Sequence, residues 1–356
     1  MITIALTYRN RDIHIVKKCL DSLCNQTAIH FKVVLVDYGS AVYYSEELEK
    51  LVKQYNFIKL IYCPVTRQLW NKSRAINIAL QQTNTSYFLV ADIDLIFKED
   101  FIEKAVELSK EHKVIYFQVG FLAKEETSKS TQFKNYKIKH VSNQEATGIT
   151  LFPTEILKSI NGYDEFYHGW GAEDTDIHIR IKQLGLPIYF YNKEVLVKHQ
   201  WHPKAYRSKL STAPFHSEQE KINHFYLQLT NNTNRLKANV EGVWGKIPLE
   251  ADYKKLLQKP NYEIEIDSAN FKVEALLAQL KNFNNELVSI VIKNVSAKNK
   301  IKQQLKKILG KKHIQYLTME TINNRLLEEI IINYRNLPYQ FTFNRQTKEI
   351  NLTIQF

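Results

Sequence analysis

The feature that most constrains the fold is a regular alternation of short apolar segments and amphipathic segments over the first ninety residues. The apolar segments are rich in β-branched residues and end in polar turns, as buried strands do. They are Ile2–Tyr8, Phe31–Ser40, Phe57–Cys63 and Tyr87–Ala91. The segments between them, such as Leu69–Leu80, repeat apolar residues at helical spacing. This alternation predicts an α/β fold, a Rossmann-like and mostly parallel sheet flanked by helices.

The composition changes near residue 261, and this predicts a second, smaller domain. Strand-like and helical segments follow there, and the chain closes with a hairpin in which Phe341 and Phe343 alternate with polar residues. We therefore expect an α/β domain over residues 1–213, a helical extension or linker over 214–260, and a C-terminal α+β accessory domain over 261–356.

The charge of the chain favours an acidic partner, since the formal net charge is +12 at pH 7. A nucleotide, an anionic lipid surface and a nucleic acid all satisfy this condition, although no nucleic-acid recognition motif accompanies the charge. The three cysteines form neither a metal set nor a disulfide framework, which is typical of a reducing compartment. No apolar run is long enough to span a bilayer, and the first twenty residues do not resemble a signal peptide. A soluble, cytoplasmic chain is expected.

Two aspartates follow the fourth predicted strand. Asp92 and Asp94 are one residue apart, so both carboxylates can face one hard divalent cation, as oxygen ligands of such ions do. The alternative is that they cap a helix over Leu95–Glu103.

Two histidines follow a later strand, which we expect to belong to the same sheet. His199 and His202 flank Trp201, and an imidazole beside carboxylates favours Mn²⁺ over Mg²⁺. A histidine is also common as an ordinary surface or core group.

The segment NGYDEFYHGWGAEDTD combines glycines, an aromatic residue and acids. Trp170 lies between two glycines, one of them Gly171, and an exposed indole offers a flat face to a sugar ring. Glu173 and Asp174 then open a helix, where the macrodipole stabilises acids and is expected to keep a carboxylate ionised. An ionised carboxylate can accept a proton from an attacking hydroxyl. Helix capping alone is the alternative.

Further polar residues fall at strand ends and helix starts on the same predicted edge. The basic ones could neutralise a diphosphate, and an aspartate could bind a ribose or a base edge; each alone could equally be a solvated charge. The candidates are Thr7, Arg9, Arg11, Asp37, Lys72 and Arg74.

Taken together, these residues resemble nucleotide-sugar glycosyltransferases of the GT-A fold. The chain looks like family 2, especially the β-1,4-galactosyltransferase and chondroitin-polymerase type. The matching strings occur in the family's order over about residues 1–205, and the GWG-x-ED-x-D string is the most specific. They are TYRNR, VDYGS, WNKSRAIN, ADID, GYDEFYHGWGAEDTD and KHQWH. The family commonly has a second acid where this chain has Tyr38.

The resemblance implies a role for each site residue. Thr7, Arg9, Arg11 and Asp37 would bind the uridine diphosphate part of the donor. Asp94, with Asp92 nearby, would hold Mn²⁺ (or Mg²⁺), with His199 as the expected third ligand and His202 as the fallback. Asp174 would be the catalytic base of an inverting transfer. Glu173, Gly171 and Trp170 would line the acceptor site.

The expected activity is transfer of a hexose or N-acetylhexosamine, with Gal or GalNAc favoured, from a UDP-sugar to a glycan or lipid-linked acceptor in surface polysaccharide synthesis. One alternative is a non-catalytic nucleotide- or glycan-binding module that keeps the fold. Another is a sugar nucleotidyltransferase, although TYRNRD lacks the glycine-rich loop typical of that chemistry.

A basic stretch in the second domain has no match to the family. Lys293–Lys312 contains eight lysines and no acid, and Ile301, Leu305 and Ile308 give it an apolar face. A peripheral contact with an anionic membrane and a helix packed on its own domain are both consistent with this pattern.

Overall fold

The computed structural model describes residues 1–203 and 211–356. They form two compact units, each assembled from non-contiguous parts of the chain. The first unit contains Met1–Cys63, Asn71–Pro203 and Glu220–Ile247, and the second contains Pro64–Trp70, 211–219 and Pro248–Phe356. The predicted boundaries at 213 and 261 stay predictions, and residues 204–210 of the predicted first domain lie outside the described residues.

A seven-stranded sheet forms the centre of the first unit. Its first half follows the predicted alternation: β1 Ile2–Tyr8, α1 Ile13–Cys24, β2 Phe31–Tyr38, α2 Val42–Val52, β3 Ile58–Cys63, α3 Lys72–Gln81 and β4 Tyr87–Asp92. The remaining strands of this sheet are β6 Val114–Phe117, β9 Thr150–Pro153 and β10 Ile188–Tyr191. The strand order is β10-β6-β9-β4-β1-β2-β3, with only β9 antiparallel to its neighbours. The predicted α/β class is confirmed.

The register of the parallel strands aligns the polar strand ends. Thr7 of β1 pairs with Asp92 of β4, and Tyr8 pairs with Asp37 of β2. Ile4 and Leu6 of β1 are fully buried. This is typical of a central parallel strand, which is covered on both faces and consists of β-branched and other apolar residues. The core therefore fixes the edge at which the predicted site residues emerge.

A second, four-stranded sheet completes the first unit. It consists of β5 Leu95–Phe97, β7 Val119–Leu122, β8 Ile138–Val141 and β11 Val197–His199, in the order β5-β11-β7-β8. The alternative of a helix over Leu95–Glu103 is wrong, because its first three residues form β5; α4 covers only Phe101–Leu108. The expectation that the histidines follow a strand of the main sheet is also wrong, because β11 pairs antiparallel with β5.

The helices that follow in the first unit are α5 Lys124–Thr127, α6 Thr154–Ser159, α7 Glu173–Gln183 and α8 Gln219–Asn232. A buried ion pair anchors α7. Arg180 is fully buried, donates to Asp176 at 2.7 Å, and also donates to the carbonyls of Ile160 and Gly162. Breaking such a buried pair typically costs about 3–5 kcal/mol, so these bonds hold the first turn of α7 in a defined place.

The second unit contains a four-stranded mixed sheet with helices, the α+β arrangement expected from the sequence. Its elements are α9 Glu250–Lys254, β12 Tyr262–Asp267, α10 Asn270–Leu280, β13 Leu287–Lys293, α11 Ala297–Ile308, α12 Met319–Glu329, β14 Tyr339–Asn344 and β15 Glu349–Gln355. The strand order is β12-β13-β15-β14. The predicted hairpin is β14–β15, in which Phe341 pairs with Leu352 and Phe343 with Ile350. Within the described ranges, no helix is long and apolar enough to cross a membrane.

Candidate active site

The first cluster of site residues is centred on Asp94, in the turn between β4 and β5. The pairing of His199 with Leu95 in the β11–β5 ladder brings the histidine beside this aspartate. His199 Nε2 lies 3.3 Å from Asp94 Oδ1, and His202 Nε2 lies 3.2 Å from Oδ2. One ligand atom from each of the three residues lies within 4.8 Å of the others. We call Asp94, His199 and His202 the histidine cluster.

The electrostatics of the histidine cluster favour a charged carboxylate. Asp94 is 3% exposed, and burial alone would raise its pKa. The nearby His199 and His202 and the guanidinium of Arg11, 3.2 Å from Oδ2, outweigh that effect and lower the pKa of Asp94 well below its usual range. The Oδ1 atom of Asp94 is buried without a hydrogen-bond partner.

These donors fit a divalent transition metal. Two imidazole nitrogens and a carboxylate oxygen suit Mn²⁺ better than Mg²⁺, which prefers oxygen ligands alone. Both histidines contact Asp94 at similar distances, so the geometry does not rank His199 above His202. The three residues of the histidine cluster do not include Asp92; the metal role predicted for it stays a prediction.

The second cluster is centred on Lys72, at the first position of α3. Its Nζ donates to Asp174 Oδ2 at 3.0 Å and lies 3.2 Å from Asp92 Oδ1 and 3.6 Å from Glu173 Oε1. Burial acts to lower the pKa of Lys72, but the three carboxylates outweigh it and raise the pKa well above its usual value. We call Lys72, Asp92, Glu173 and Asp174 the lysine cluster.

The acids of the lysine cluster have raised pKa values. Burial and the charge of Asp174 together raise the pKa of Glu173 to about 7, against the opposing effect of Lys72. Burial also raises the pKa of Asp174. The helix N-terminus was expected to keep this carboxylate ionised. Burial has the opposite effect, and the neighbouring Lys72 favours the charged form.

The loop before α7 has an unusual backbone. Gly169, Gly171 and Ala172 all adopt positive φ angles, of 73°, 102° and 76°. Ala172 occupies the N-cap position without a side-chain cap, although left-handed geometry is unfavourable for a residue with a Cβ. Trp170 is 57% exposed between the two glycines, and its role at the acceptor site stays a prediction.

A buried amide in α8 holds this loop. Asn223 is 1% exposed, and its Nδ2 lies 2.9 Å from the carbonyl oxygen of His168, 3.3 Å from that of Trp170 and 3.2 Å from that of Gly171. Asn223 is not among the residues predicted from the sequence, because an asparagine within a helical segment carries no local signal of a contact more than fifty residues away.

A glycine near the lysine cluster was also missed. A Cβ built on Gly148 would lie 3.4 Å from Asp174 Oδ2 and 3.9 Å from Asp92 Oδ2, so the missing side chain leaves space beside both carboxylates. The segment that contains Gly148 enters β9, and this glycine is the only sequence signal of a close approach there.

The remaining predicted donor-binding residues lie around the ends of β1, β2 and the start of α3. Thr7 is buried at the end of β1. Asp37 is 1% exposed and accepts hydrogen bonds from the backbone of Ser40 and the hydroxyl of Ser45. Arg74 is also buried, and its Nε lies 3.9 Å from Glu165 Oε2.

The pKa of Asp37 is raised by its burial, although its serine hydrogen bonds oppose the rise. Arg9 interacts electrostatically with the same carboxylate. The roles predicted for these residues in donor binding stay predictions.

Two sequence families match the region that carries both clusters. Residues 3–161 match the model of glycosyl transferase family 2, and residues 127–202 match the model described as the N-terminal domain of galactosyltransferase. These matches support the glycosyltransferase resemblance predicted from the sequence, and each of them covers less than half of the chain.

Individual relatives share part of this chain at low identity. Chondroitin sulfate synthase 3 from Mus musculus is 24% identical over 206 residues, which cover 51% of this chain and 22% of the mouse protein. Beta-1,4-galactosyltransferase 4 from Homo sapiens is 24% identical over 138 residues, 36% of each chain. A crystal structure of S. aureus TarS in complex with UDP-GlcNAc has a TM-score of 0.49 and 16% identity, and covers 67% of this chain and 68% of that one. The chain thus spans well under half of the two curated relatives.

Proposed function

We propose that this chain is an inverting, Mn²⁺-dependent glycosyltransferase that uses a UDP-sugar donor. The observation that carries the proposal is the separation of the site acids into two clusters of different character. Asp94 lies among nitrogen donors that lower its pKa. Glu173 is buried and Asp174 is half-buried beside Lys72, and the pKa values of both acids are raised. Diphosphate binding and proton removal need these two environments.

The histidine cluster would serve the donor. Asp94, His199 and His202 would hold Mn²⁺, with Asp92 nearby, and a bound Mn²⁺ supplies positive charge against the diphosphate as it departs. Arg11 contacts Asp94 and adds fixed positive charge on this side, while Arg9 interacts electrostatically with Asp37. Thr7 and Asp37, at the ends of adjacent strands, would contact the nucleoside.

The lysine cluster would serve the acceptor. Lys72 donates a hydrogen bond to Asp174 Oδ2, whereas Asp174 Oδ1 is buried without a hydrogen-bond partner. Oδ1 is therefore the oxygen that would accept the proton. The acceptor oxygen attacks the anomeric carbon, its proton passes to Asp174, and the bond from that carbon to the diphosphate breaks through an oxocarbenium-like state. Glu173 would hold the acceptor, and Trp170 and Gly171 would line its sugar ring.

The transferred sugar is proposed to be a hexose or N-acetylhexosamine, with Gal or GalNAc favoured. The names of the galactosyltransferase and chondroitin sulfate synthase relatives support this choice. We propose a glycan or lipid-linked hydroxyl as the acceptor, in the synthesis of a surface polysaccharide.

The experiment that tests the function begins with binding. UDP is titrated into the protein with and without Mn²⁺, and Mn²⁺ should tighten UDP binding by at least about tenfold, because the ion contacts both partners. UDP-Gal, UDP-GalNAc, UDP-Glc and UDP-GlcNAc are then screened for Mn²⁺-dependent release of UDP. Turnover of one or two donors is expected.

Two outcomes would favour the alternatives. Mn²⁺-dependent UDP binding without turnover of any donor, with a panel of sugar acceptors present, would favour a non-catalytic binding module. Formation of a UDP-sugar from UTP and a sugar 1-phosphate would favour a nucleotidyltransferase.

A further inference from the structure

Helix α11, Ala297–Ile308, is unusual because none of its residues is buried. A twelve-residue helix normally depends on an apolar face packed against other elements, since isolated helices of this length are marginal in water. The exposed residues include the whole apolar stripe of the helix. Ile301 is 59% exposed, Leu305 55%, Ile308 74% and the adjoining Leu309 66%.

The spacing of these residues gives one continuous face. Ile301, Leu305, Ile308 and Leu309 are separated by four, three and one positions, so their side chains line one side of the helix. The expectation that this side packs on its own domain is wrong for the described residues, because these four side chains stay exposed there.

Lysines surround the stripe. The stretch Lys293–Lys312 carries eight of them and no acid. Those on or beside α11 are Lys298, Lys300, Lys302, Lys306, Lys307, Lys311 and Lys312. Lys293 forms an ion pair with Glu265 at 2.9 Å, but it lies on β13, before the helix.

We propose that α11 docks on an anionic lipid surface. The apolar stripe would enter the boundary between headgroups and acyl chains, and the flanking lysines would contact lipid phosphates. Charge decides between this occupant and a second copy of the chain, whose formal charge of +12 would repel an all-lysine face. Lysine stems also cover apolar surface while their ammonium groups stay with the headgroups.

The test is co-sedimentation of the full-length protein with vesicles of phosphatidylcholine alone and of phosphatidylcholine with phosphatidylglycerol. Binding is expected only to the anionic vesicles, and it should weaken as the salt concentration rises. A variant with Ile301, Leu305 and Ile308 each changed to Ser should bind at least about tenfold more weakly, because the inserted apolar area is lost. These residues are exposed, so the fold is expected to persist.

A charge variant distinguishes the contribution of the α11 lysines to vesicle binding from that of the net charge of the protein. Changing Lys298, Lys302, Lys306 and Lys307 to Gln should weaken binding by at least about tenfold. The matched control removes four exposed lysines elsewhere, Lys110, Lys193, Lys237 and Lys259, and should retain most of the binding.

Several results would overturn the proposal. These are equal binding to neutral vesicles, equal loss in both lysine variants, or no vesicle binding at all. Concentration-dependent dimers that the serine variant abolishes, without vesicle binding, would assign the face to a second copy. None of these results bears on UDP binding or sugar transfer, which are measured without lipid.

Discussion

The two clusters of the first unit are made of similar acids but differ in what surrounds them. The histidine cluster joins a turn after β4 to the end of β11, and its carboxylate is flanked by two imidazoles and a guanidinium. The lysine cluster joins β4 to the starts of α3 and α7, and its carboxylates share one ammonium group. Asp92 and Asp94, one residue apart, therefore belong to different environments.

The difference teaches how neighbouring acids acquire different proton affinities. Each cluster has one buried acid, Asp94 or Glu173, and burial raises the pKa of that carboxyl group in each. In the histidine cluster two imidazoles and a guanidinium around one carboxylate reverse the effect. In the lysine cluster one cation for three carboxylates does not. The ratio of basic groups to acids, rather than burial, distinguishes the carboxylate proposed to bind the metal from the one proposed to accept the proton.

The largest effect should come from removing the proton acceptor. We expect Asp174→Asn to reduce kcat by about 10²–10⁴-fold, because an amide cannot take the acceptor proton. UDP and Mn²⁺ affinities should stay within about twofold, since the histidine cluster is intact. Steady-state kinetics and calorimetry measure the two effects. Substantial residual transfer would refute the assignment of the base. A loss of UDP affinity as large as the loss of kcat would show that the two clusters do not have separate roles.

The next effect should come from the histidines. Because both contact Asp94, we expect His199→Ala and His202→Ala each to weaken Mn²⁺ binding by at least about tenfold, as loss of a nitrogen ligand does. Electron paramagnetic resonance of free Mn²⁺ gives the affinities. His140→Ala is the control, because His140 is an exposed histidine of the same sheet that stacks on Phe121. An effect of one histidine alone would leave a single nitrogen ligand in the site.

A change in the pH profile should follow from substitution of Lys72. The proposed base Asp174 would work deprotonated, so we expect kcat to fall as the pH drops through the pKa of the acidic pair, near 7 for Glu173. Lys72→Met removes the cation that lowers these pKa values, and should move the acidic limb up by about one pH unit or more. Glu173→Gln removes a negative neighbour and should move it down. If Lys72→Met instead raises only the KM of the donor, Lys72 neutralises the diphosphate, as was predicted from the sequence.

The smallest effect should come from the amide that holds the loop. Asn223→Ala leaves carbonyl oxygens of the loop before α7 without their donor, which should cost about 1–3 kcal/mol of stability. We expect a lower Tm and a rise of a few fold in the KM of the acceptor, with Mn²⁺ affinity unchanged. Asn232→Ala, at an exposed asparagine of the same helix, is the control. A rise in the KM of the donor alone would show that the loop contacts the donor rather than the acceptor.

The sequence predicted the main sheet well because apolar runs and helical spacing are local signals. β1 matches its predicted bounds, and the other three strands of the first ninety residues differ by at most two residues at either end. The second sheet was missed for two reasons. The strand beside the histidines was predicted but assigned to the main sheet, and β5 has three residues, too short for a periodic pattern. The pairing of Asp94 with both histidines depends on that sheet.

The candidate residues themselves were visible in the sequence, but their partners were not. The string GWGAED shows an acidic helix start after glycines, yet it does not show that Lys72 lies 3.0 Å from Asp174. Nor does it show that Asn223 supports the loop. Both contacts arise from packing between distant segments, which no short string encodes.

The antiparallel pairing of β5 with β11 has a consequence for folding. It brings His199 to Asp94 across roughly one hundred residues of chain, so the site cannot exist until that large loop has closed. An ion that binds only the closed form stabilises it by mass action, by about 2.7 kcal/mol at one hundred times its dissociation constant. The rise in melting temperature on addition of Mn²⁺ would then measure how far the bound ion stabilises the pairing of β5 with β11.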